Sequence, residues 1–314
     1  MIEEIQILRR TFFRELHTLI VYTTNRCNSR CVSCRIWCAE PKQDIDYDLV
    51  ARVIRDTRER DVRFRITGGE ALLHPEIDRI LSLLGSRKYT LFSNGLLWDR
   101  VVEAVLRHRI RSLYLSCDGP RATYLRIRGV DGYESVERVL RGLQGRTKLY
   151  VNYTISRNNS VEDLRQIVDL CLRYDAHLII GIAGRPHYFA SEVKPAPAYD
   201  LSALKIPRRI LSYPKCLQSY YLELHNRWLK GSYRAPCLNI RSQAALYPDG
   251  HAVLCEAKWV ILGDLREKGI RDIWDSSHVR RLQREYRACN GCLLICQRPM
   301  DVLLQQLRLD HLFA

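Results

Sequence analysis

Thr18-Leu19-Ile20-Val21-Tyr22-Thr23-Thr24-Asn25-Arg26-Cys27-Asn28-Ser29-Arg30-Cys31-Val32-Ser33-Cys34 is the stretch from which the rest of the chain can be read. Its first six residues, Thr18–Thr23, are β-branched, aromatic or aliphatic and predict a buried strand. The strand runs straight into three cysteines spaced C-x3-C-x2-C at Cys27, Cys31 and Cys34. Three thiolates can hold three irons of a four-iron cluster and leave the fourth iron open to an outside ligand. A structural zinc site wants four ligands in closed tetrahedral geometry, and Cys38 offers a fourth thiol for that alternative.

Working outward, β-rich runs alternate with amphipathic helical periods as far as residue 183. Strands are expected at Arg63–Thr67, Tyr89–Ser93, Ser112–Ser116, Leu149–Ile155 and Leu178–Ile182, after the first at Thr18–Thr23. Helices are expected at Tyr47–Glu59, Pro75–Leu84, Asp99–Arg107, Tyr133–Gly142 and Val161–Tyr174. Six strands alternating with helices make right-handed parallel βα units. Six fall short of the eight of a closed barrel, so the fold class is α/β, a partial TIM-like barrel with function at the carboxyl ends of its strands.

The strand ends carry a matching series of polar and glycine residues. Thr67-Gly68-Gly69-Glu70 ends the second strand, Ser93-Asn94-Gly95 the third and Ser116-Cys117-Asp118-Gly119-Pro120 the fourth. Asn152 lies on the fifth, and Gly181-Ile182-Ala183-Gly184 ends the sixth. A bound nucleoside needs such a set: glycine for close backbone approach, Ser and Asn as hydrogen-bond partners.

With these motifs in order after the cysteine loop, residues 18–184 resemble the core of the radical S-adenosylmethionine (SAM) superfamily. The resemblance implies that Cys27, Cys31 and Cys34 ligate a cluster whose open iron is chelated by SAM. It implies that Gly68, Gly69 and Glu70 hold the methionine amine, and that Asn94, Ser116 and Asn152 contact ribose or methionine. It gives Ile180 to the adenine and Arg128 to the SAM carboxylate, with a helix-capping surface arginine as the plainer reading of Arg128. The residue before the third cysteine is usually aromatic in this superfamily; here it is Ser33, and Trp37 is the alternative cover for the adenine.

A second cysteine set lies near the other end. Cys237 and Cys255 frame a C-x12-G-x4-C unit with Gly250 at the turn of an expected hairpin, Gln243–Tyr247 and Ala252–Cys255. Gly263-Asp264-Leu265, a helix over Ile270–Arg287, and Cys289-x2-Cys292-x3-Cys296 follow. This order resembles the twitch domain, a short form of the SPASM domain, and implies one auxiliary cluster on Cys237, Cys255, Cys289 and Cys292. Cys296 is an alternative to either of the last two, and a zinc ribbon is the competing structural site. The expected organisation is a core at 1–184, a linker and helix at 185–235, a small α+β cluster-binding domain at 236–298 and a terminal helix or tail at 299–314. The cofactors implied are SAM and two four-iron, four-sulfur clusters, with a flavodoxin- or ferredoxin-like reductase as partner.

Composition narrows the rest. Twelve cysteines in a chain without a secretory signal fit metal ligation better than disulfides, and a cytoplasmic location is expected. The charge of +15 comes mostly from arginines dispersed at helical spacing, as in Arg52-Arg55-Arg58, which reads as solvated faces. No nucleic-acid partner is expected, and a cationic substrate is disfavoured. No apolar run approaches the ~20 residues of a membrane span. About twenty residues precede the cluster loop, so a leader-peptide recognition domain is expected to be absent. A small polar substrate such as a sugar or aminocyclitol is therefore favoured, epimerised or dehydrogenated, with modification of a ribosomal peptide as the alternative. An epimerase needs a hydrogen-atom donor, for which Cys296, Cys117 and Cys216 are the candidates; Cys117 also reads as packing, and Cys171 as a buried small hydrophobe.

Overall fold

A computed structural model describes residues 9–183, 206–211, 217–234 and 237–294. Its nine strands form one sheet in the order β6-β5-β4-β3-β2-β1-β7-β8-β9. Strands β1 (Thr18–Tyr22), β2 (Arg63–Thr67), β3 (Tyr89–Ser93), β4 (Ser112–Ser116), β5 (Lys148–Ile155) and β6 (His177–Ile182) are those expected, to within a residue at each end. Each pairs in parallel with its sequence neighbour. Strands at the two ends of this order do not pair with each other, so the barrel is open.

Burial alternates along the inner strands, as in Phe64 and Ile66 of β2 or Leu113 and Leu115 of β4. These apolar residues face the outer helices and form the main core. Intervening residues such as Arg65, Tyr114, Ser116 and Asn152 face the lumen. The helices are started by local chemistry: Asp46 accepts from the amides of Asp48 and Leu49, and Ser160 forms a capping box with Asp163.

Three features differ from the sequence reading. An additional helix, Arg121–Arg128, follows β4; its run of arginines has little apolar periodicity, so the sequence pattern did not mark it. The helix expected over Ile270–Arg287 is two, Ile270–Asp275 and Ser277–Glu285, because Ser276 is extended and caps the second. The C-terminal strands β7 (Gln243–Leu246), β8 (His251–Cys255) and β9 (Val260–Asp264) extend the barrel sheet, since β7 pairs in parallel with β1. Tyr22 stacks on Tyr247 at 4.5 Å across that join. Most of the expected linker, the terminal tail, Cys216 and Cys296 lie outside the described residues. Among the described residues no helix is long and apolar enough to cross a membrane.

Candidate active site

The loop bearing Cys27, Cys31 and Cys34 leaves the carboxyl end of β1 and is held on two sides by backbone bonds. On one side the Gly69 amide donates to the Thr24 carbonyl and the Glu70 amide to the Arg26 carbonyl, both at 2.8 Å. A Cβ on Gly68 would lie 2.8 Å from the Thr24 carbonyl oxygen, and one on Gly69 would collide with the Arg26 carbonyl. Only a side chain of hydrogen permits this approach. On the other side the Arg30 amide donates to Arg128 O (2.8 Å) and the Val32 amide to Ile127 O (2.9 Å). The helix Arg121–Arg128, which the sequence reading missed, therefore clamps the cysteine loop.

Polar groups gather around the Cys27 and Cys31 sulfurs. Arg128 Nη1 lies 3.7 Å from Cys31 Sγ, Ser29 Oγ 3.2 Å from the same sulfur, and Asn94 Nδ2 3.9 Å from Cys27 Sγ. Burial pushes the Cys27 thiol up to about 11 and the Cys34 thiol up to about 12, with the neighbouring cysteines adding to the effect. Crowded thiolates are costly here without a cation among them, and iron would supply one. Among the described residues no three His, Cys, Asp or Glu side chains stand as a finished ligand group; the thiols share an electrostatic neighbourhood, in which Arg128 opposes the rise at both Cys27 and Cys34. Sulfur ligands, donors to sulfur and a glycine-lined approach fit a cluster with a small ligand beside it.

The expected SAM contacts divide. Ser116 and Asn152 are register partners on β4 and β5 and both line the lumen. Asn94 spans the gap to the cysteine loop, donating to Asn28 Oδ1 at 2.8 Å. Arg128 is neither exposed nor a simple cap: its guanidinium pairs with Asp118 at 2.6 Å. Burial opposes its charge, but the Asp118 carboxylate and Cys31 raise its pKa well above the ordinary arginine value. Asp118 is a residue to which the sequence reading gave no role; its place just past a strand end was the only signal.

Glu70 is 1% exposed, and its carboxylate faces inward. It accepts from Ser93 Oγ (2.9 Å), the Asn94 amide (2.8 Å) and the Leu72 amide (3.4 Å). Burial raises its pKa while these three donors act against the shift. Both carboxylate oxygens are thus engaged in joining the ends of β2 and β3.

Two candidates are corrected by strand alternation. Ile180 is fully buried in the helix-facing core, while Ile179 and Gly181 line the lumen, so Ile180 is not placed to meet an adenine there. Cys117 is likewise fully buried in that core, one residue past lumen-facing Ser116, and burial pushes its thiol up to about 12. It packs and does not face the lumen. Cys171 is buried as expected. Trp37 sits under the cluster loop, donating to the Cys31 carbonyl at 3.4 Å with Arg30 over its ring.

In the second set, Cys255 ends β8, and its pKa is raised by burial first and then by Cys292 and Cys289. Lys258, in the turn after β8, packs beside Gly291 in the loop that carries Cys289 and Cys292. The helix Leu217–Leu229 fixes that loop: Tyr221 donates to Leu293 O (2.8 Å) and Trp228 to Asn290 O (3.1 Å). Cys237 is buried at the edge of the core cluster that Cys255 and Cys289 pack against.

The chain matches the radical SAM superfamily profile over residues 21–171 and an iron–sulfur cluster-binding (SPASM) profile over 237–293. It is 24% identical over 205 residues to a probable GTP 3′,8-cyclase of Archaeoglobus fulgidus, covering 62% of this chain and 66% of that protein. It is 24% identical over 304 residues to the AdoMet-dependent heme synthase of Methanosarcina barkeri, covering 87% and 86%. Across three GTP 3′,8-cyclases, the matches span only 43 to 66% of those relatives' lengths. Among solved structures, Streptococcus suis SuiB bound to S-adenosylmethionine superposes with a TM-score of 0.69 at 16% identity, covering 89% of this chain and 73% of that one. The anSMEcpe structure with bound AdoMet gives 0.61 at 15% identity, covering 94% and 98%. The fold, the cysteine loop with its Gly-Gly-Glu clamp, and both profiles agree: this chain belongs to the radical SAM superfamily and carries a C-terminal SPASM iron–sulfur cluster-binding domain.

Proposed function

We propose that Cys27, Cys31 and Cys34 hold a SAM-binding four-iron cluster, that Cys237, Cys255, Cys289 and Cys292 hold a second, and that the barrel lumen takes a small polar substrate. The observation that carries this reading is the two-sided clamp on the first cysteine loop, where Gly69 and Arg128 hold the backbone while Arg128, Ser29 and Asn94 approach the sulfurs. When bound and reduced, the cluster and SAM supply a 5′-deoxyadenosyl radical that removes hydrogen from an unactivated C–H bond. The protein's own part is to orient and to exclude water. Gly68 and Gly69 let the β2 turn approach the cysteine loop, Ser116 and Asn152 offer hydrogen bonds from the lumen wall, and the Arg128–Asp118 pair fixes the charge behind Cys31.

Epimerisation or dehydrogenation is the proposed outcome, with Cys296 and Cys216 as the hydrogen-donor candidates now that Cys117 is in the core. Turnover in deuterated water separates the two: one solvent deuterium at an inverted carbon marks epimerisation, and a product two hydrogens poorer without deuterium marks dehydrogenation. Modification of a ribosomal peptide is a second reading, favoured by the likeness in fold to SuiB, one structure of which is bound to the precursor peptide SuiA. A flavodoxin- or ferredoxin-like protein is the proposed electron donor.

The direct test is metal content and SAM cleavage. Anaerobic reconstitution should give about eight irons per chain, from two four-iron clusters. Cys→Ala at positions 27, 31 and 34 together should halve the iron and abolish 5′-deoxyadenosine. Cys→Ala at 237 and 255 should lower the iron and leave some abortive SAM cleavage. Stoichiometric zinc in the second set, with full activity, would overturn the two-cluster reading.

A further inference from the structure

The turn between β8 and β9 carries chemistry that the cysteines alone do not use. It runs Glu256-Ala257-Lys258-Trp259, directly after Cys255. The backbone amides of Lys258 and Ala257 donate to the Cys255 sulfur and act against the rise that burial gives its pKa. Trp259 stands at φ 52°, in the left-handed region that a bulky residue rarely enters. Its ring packs on Tyr247 at 4.4 Å, and Tyr247 stacks on Tyr22, so the barrel sheet holds the turn in this shape.

The same turn brings a cation to the other cysteine loop. A Cβ on Gly291, between Cys289 and Cys292, would lie 3.7 Å from Cys289 Sγ, 3.2 Å from Lys258 Cε and 4.0 Å from Lys258 Nζ. Thiol and ammonium therefore flank one point, and the absent side chain of Gly291 lets the lysine come in. The ammonium also lies over the Tyr286 ring, 5.9 Å from its centroid, where the ring quadrupole attracts it. Tyr286 is tied to the loop in turn, since its carbonyl accepts from the Cys289 amide at 3.0 Å. Among the described residues no carboxylate pairs with Lys258. Its charge is exposed but not neutralised by a neighbour.

Resting on the proposed function, we infer that Lys258 sets the reduction potential of the second cluster, its ammonium and the two amides on Cys255 favouring the reduced form. A four-iron cluster on four thiolates gains a negative charge when it is reduced, and its potential follows local charge and hydrogen bonds to sulfur. A raised potential suits this cluster to take an electron from a substrate radical. The substrate then loses a hydrogen atom to the 5′-deoxyadenosyl radical, one electron to the cluster and one proton to solvent. The oxidised flavodoxin- or ferredoxin-like carrier removes the electron. Lys258 thereby favours dehydrogenation over epimerisation.

The test reads a potential rather than turnover. In the full chain with Cys→Ala at positions 27, 31 and 34, the second cluster is left alone, and a redox titration followed by electron paramagnetic resonance measures it. Lys258→Met should make that cluster about tenfold harder to reduce, a fall of about 59 mV for a one-electron couple. Lys258→Glu should lower it about tenfold further, and Lys258→Arg, which keeps the charge, should stay within about threefold of the parent. About 1 M salt should shrink the Met shift, because an exposed charge is screened. Iron should stay at about four per chain throughout. The inference is overturned if Met and Glu titrate like the parent, if Arg shifts as Met does, or if the Met shift survives salt undiminished. Loss of iron in the Lys258 variants alone would give the lysine a structural role and overturn it too. A parent that holds no iron, or zinc in its place, removes the proposed second cluster itself, whereas iron with an unmoved potential removes the role of Lys258 alone.

Discussion

Arg128 stands 2.6 Å from the Asp118 carboxylate and 3.7 Å from Cys31 Sγ, so one buried guanidinium ties the end of β4 to the cysteine loop. Its helix also supplies the carbonyls that hold the loop backbone at Arg30 and Val32. The contact with Cys31 joins segments 97 residues apart in sequence.

Asp118→Asn should therefore destabilise the protein by about 3 kcal/mol or more, because it leaves Arg128 buried without its counter-charge. Urea denaturation of the reconstituted protein measures this. The first cluster should also be lost faster under a chelator, while iron in the second set holds. Unchanged stability would mean that Arg128 relaxes to another partner.

Gly69→Ala should prevent the β2 turn from closing on Arg26, because the added methyl meets the Arg26 carbonyl and the Cys27 Cβ. Iron should fall to about half, from about eight to about four per chain, through loss of the first cluster. Full iron content with normal SAM cleavage would show that the backbone yields there at little cost.

Glu70→Gln tests two roles at once. An amide nitrogen in place of one carboxylate oxygen must face a donor from Ser93, Asn94 or Leu72, at a cost of about 1–3 kcal/mol. The thermal midpoint should fall, and SAM affinity should fall about tenfold or more with it. A drop in SAM affinity at unchanged thermal midpoint would instead assign Glu70 directly to the methionine ammonium.

His17 gives a pH prediction remote from both cysteine sets. Burial, then Arg10, pushes its pKa down to about 4 from the ordinary 6.5. The unfolded chain thus binds the proton first as pH falls. Stability from neutral His17 is complete above about pH 6.5 and is lost progressively toward pH 4, up to roughly 3 kcal/mol. His17→Gln should flatten this part of the profile. A wild-type thermal midpoint that does not fall between pH 7 and pH 5 would contradict it.

Much of this architecture was legible in the chain itself. Alternating strand and helix periods gave β1 to β6 because each strand buries one face and each helix one stripe, and those are local patterns. The spacing of Cys27, Cys31 and Cys34 after β1, and of Cys255, Cys289 and Cys292, is covalent information that folding does not alter. Tertiary structure decided which way residues point and what they meet. Ile180 and Cys117 lie one residue from lumen-facing neighbours, and a single step along a strand reverses the face. The joining of β7 to β1, the approach of Arg128 to Cys31 and the Ser93 and Asn94 donors on Glu70 all depend on pairings across tens to hundreds of residues.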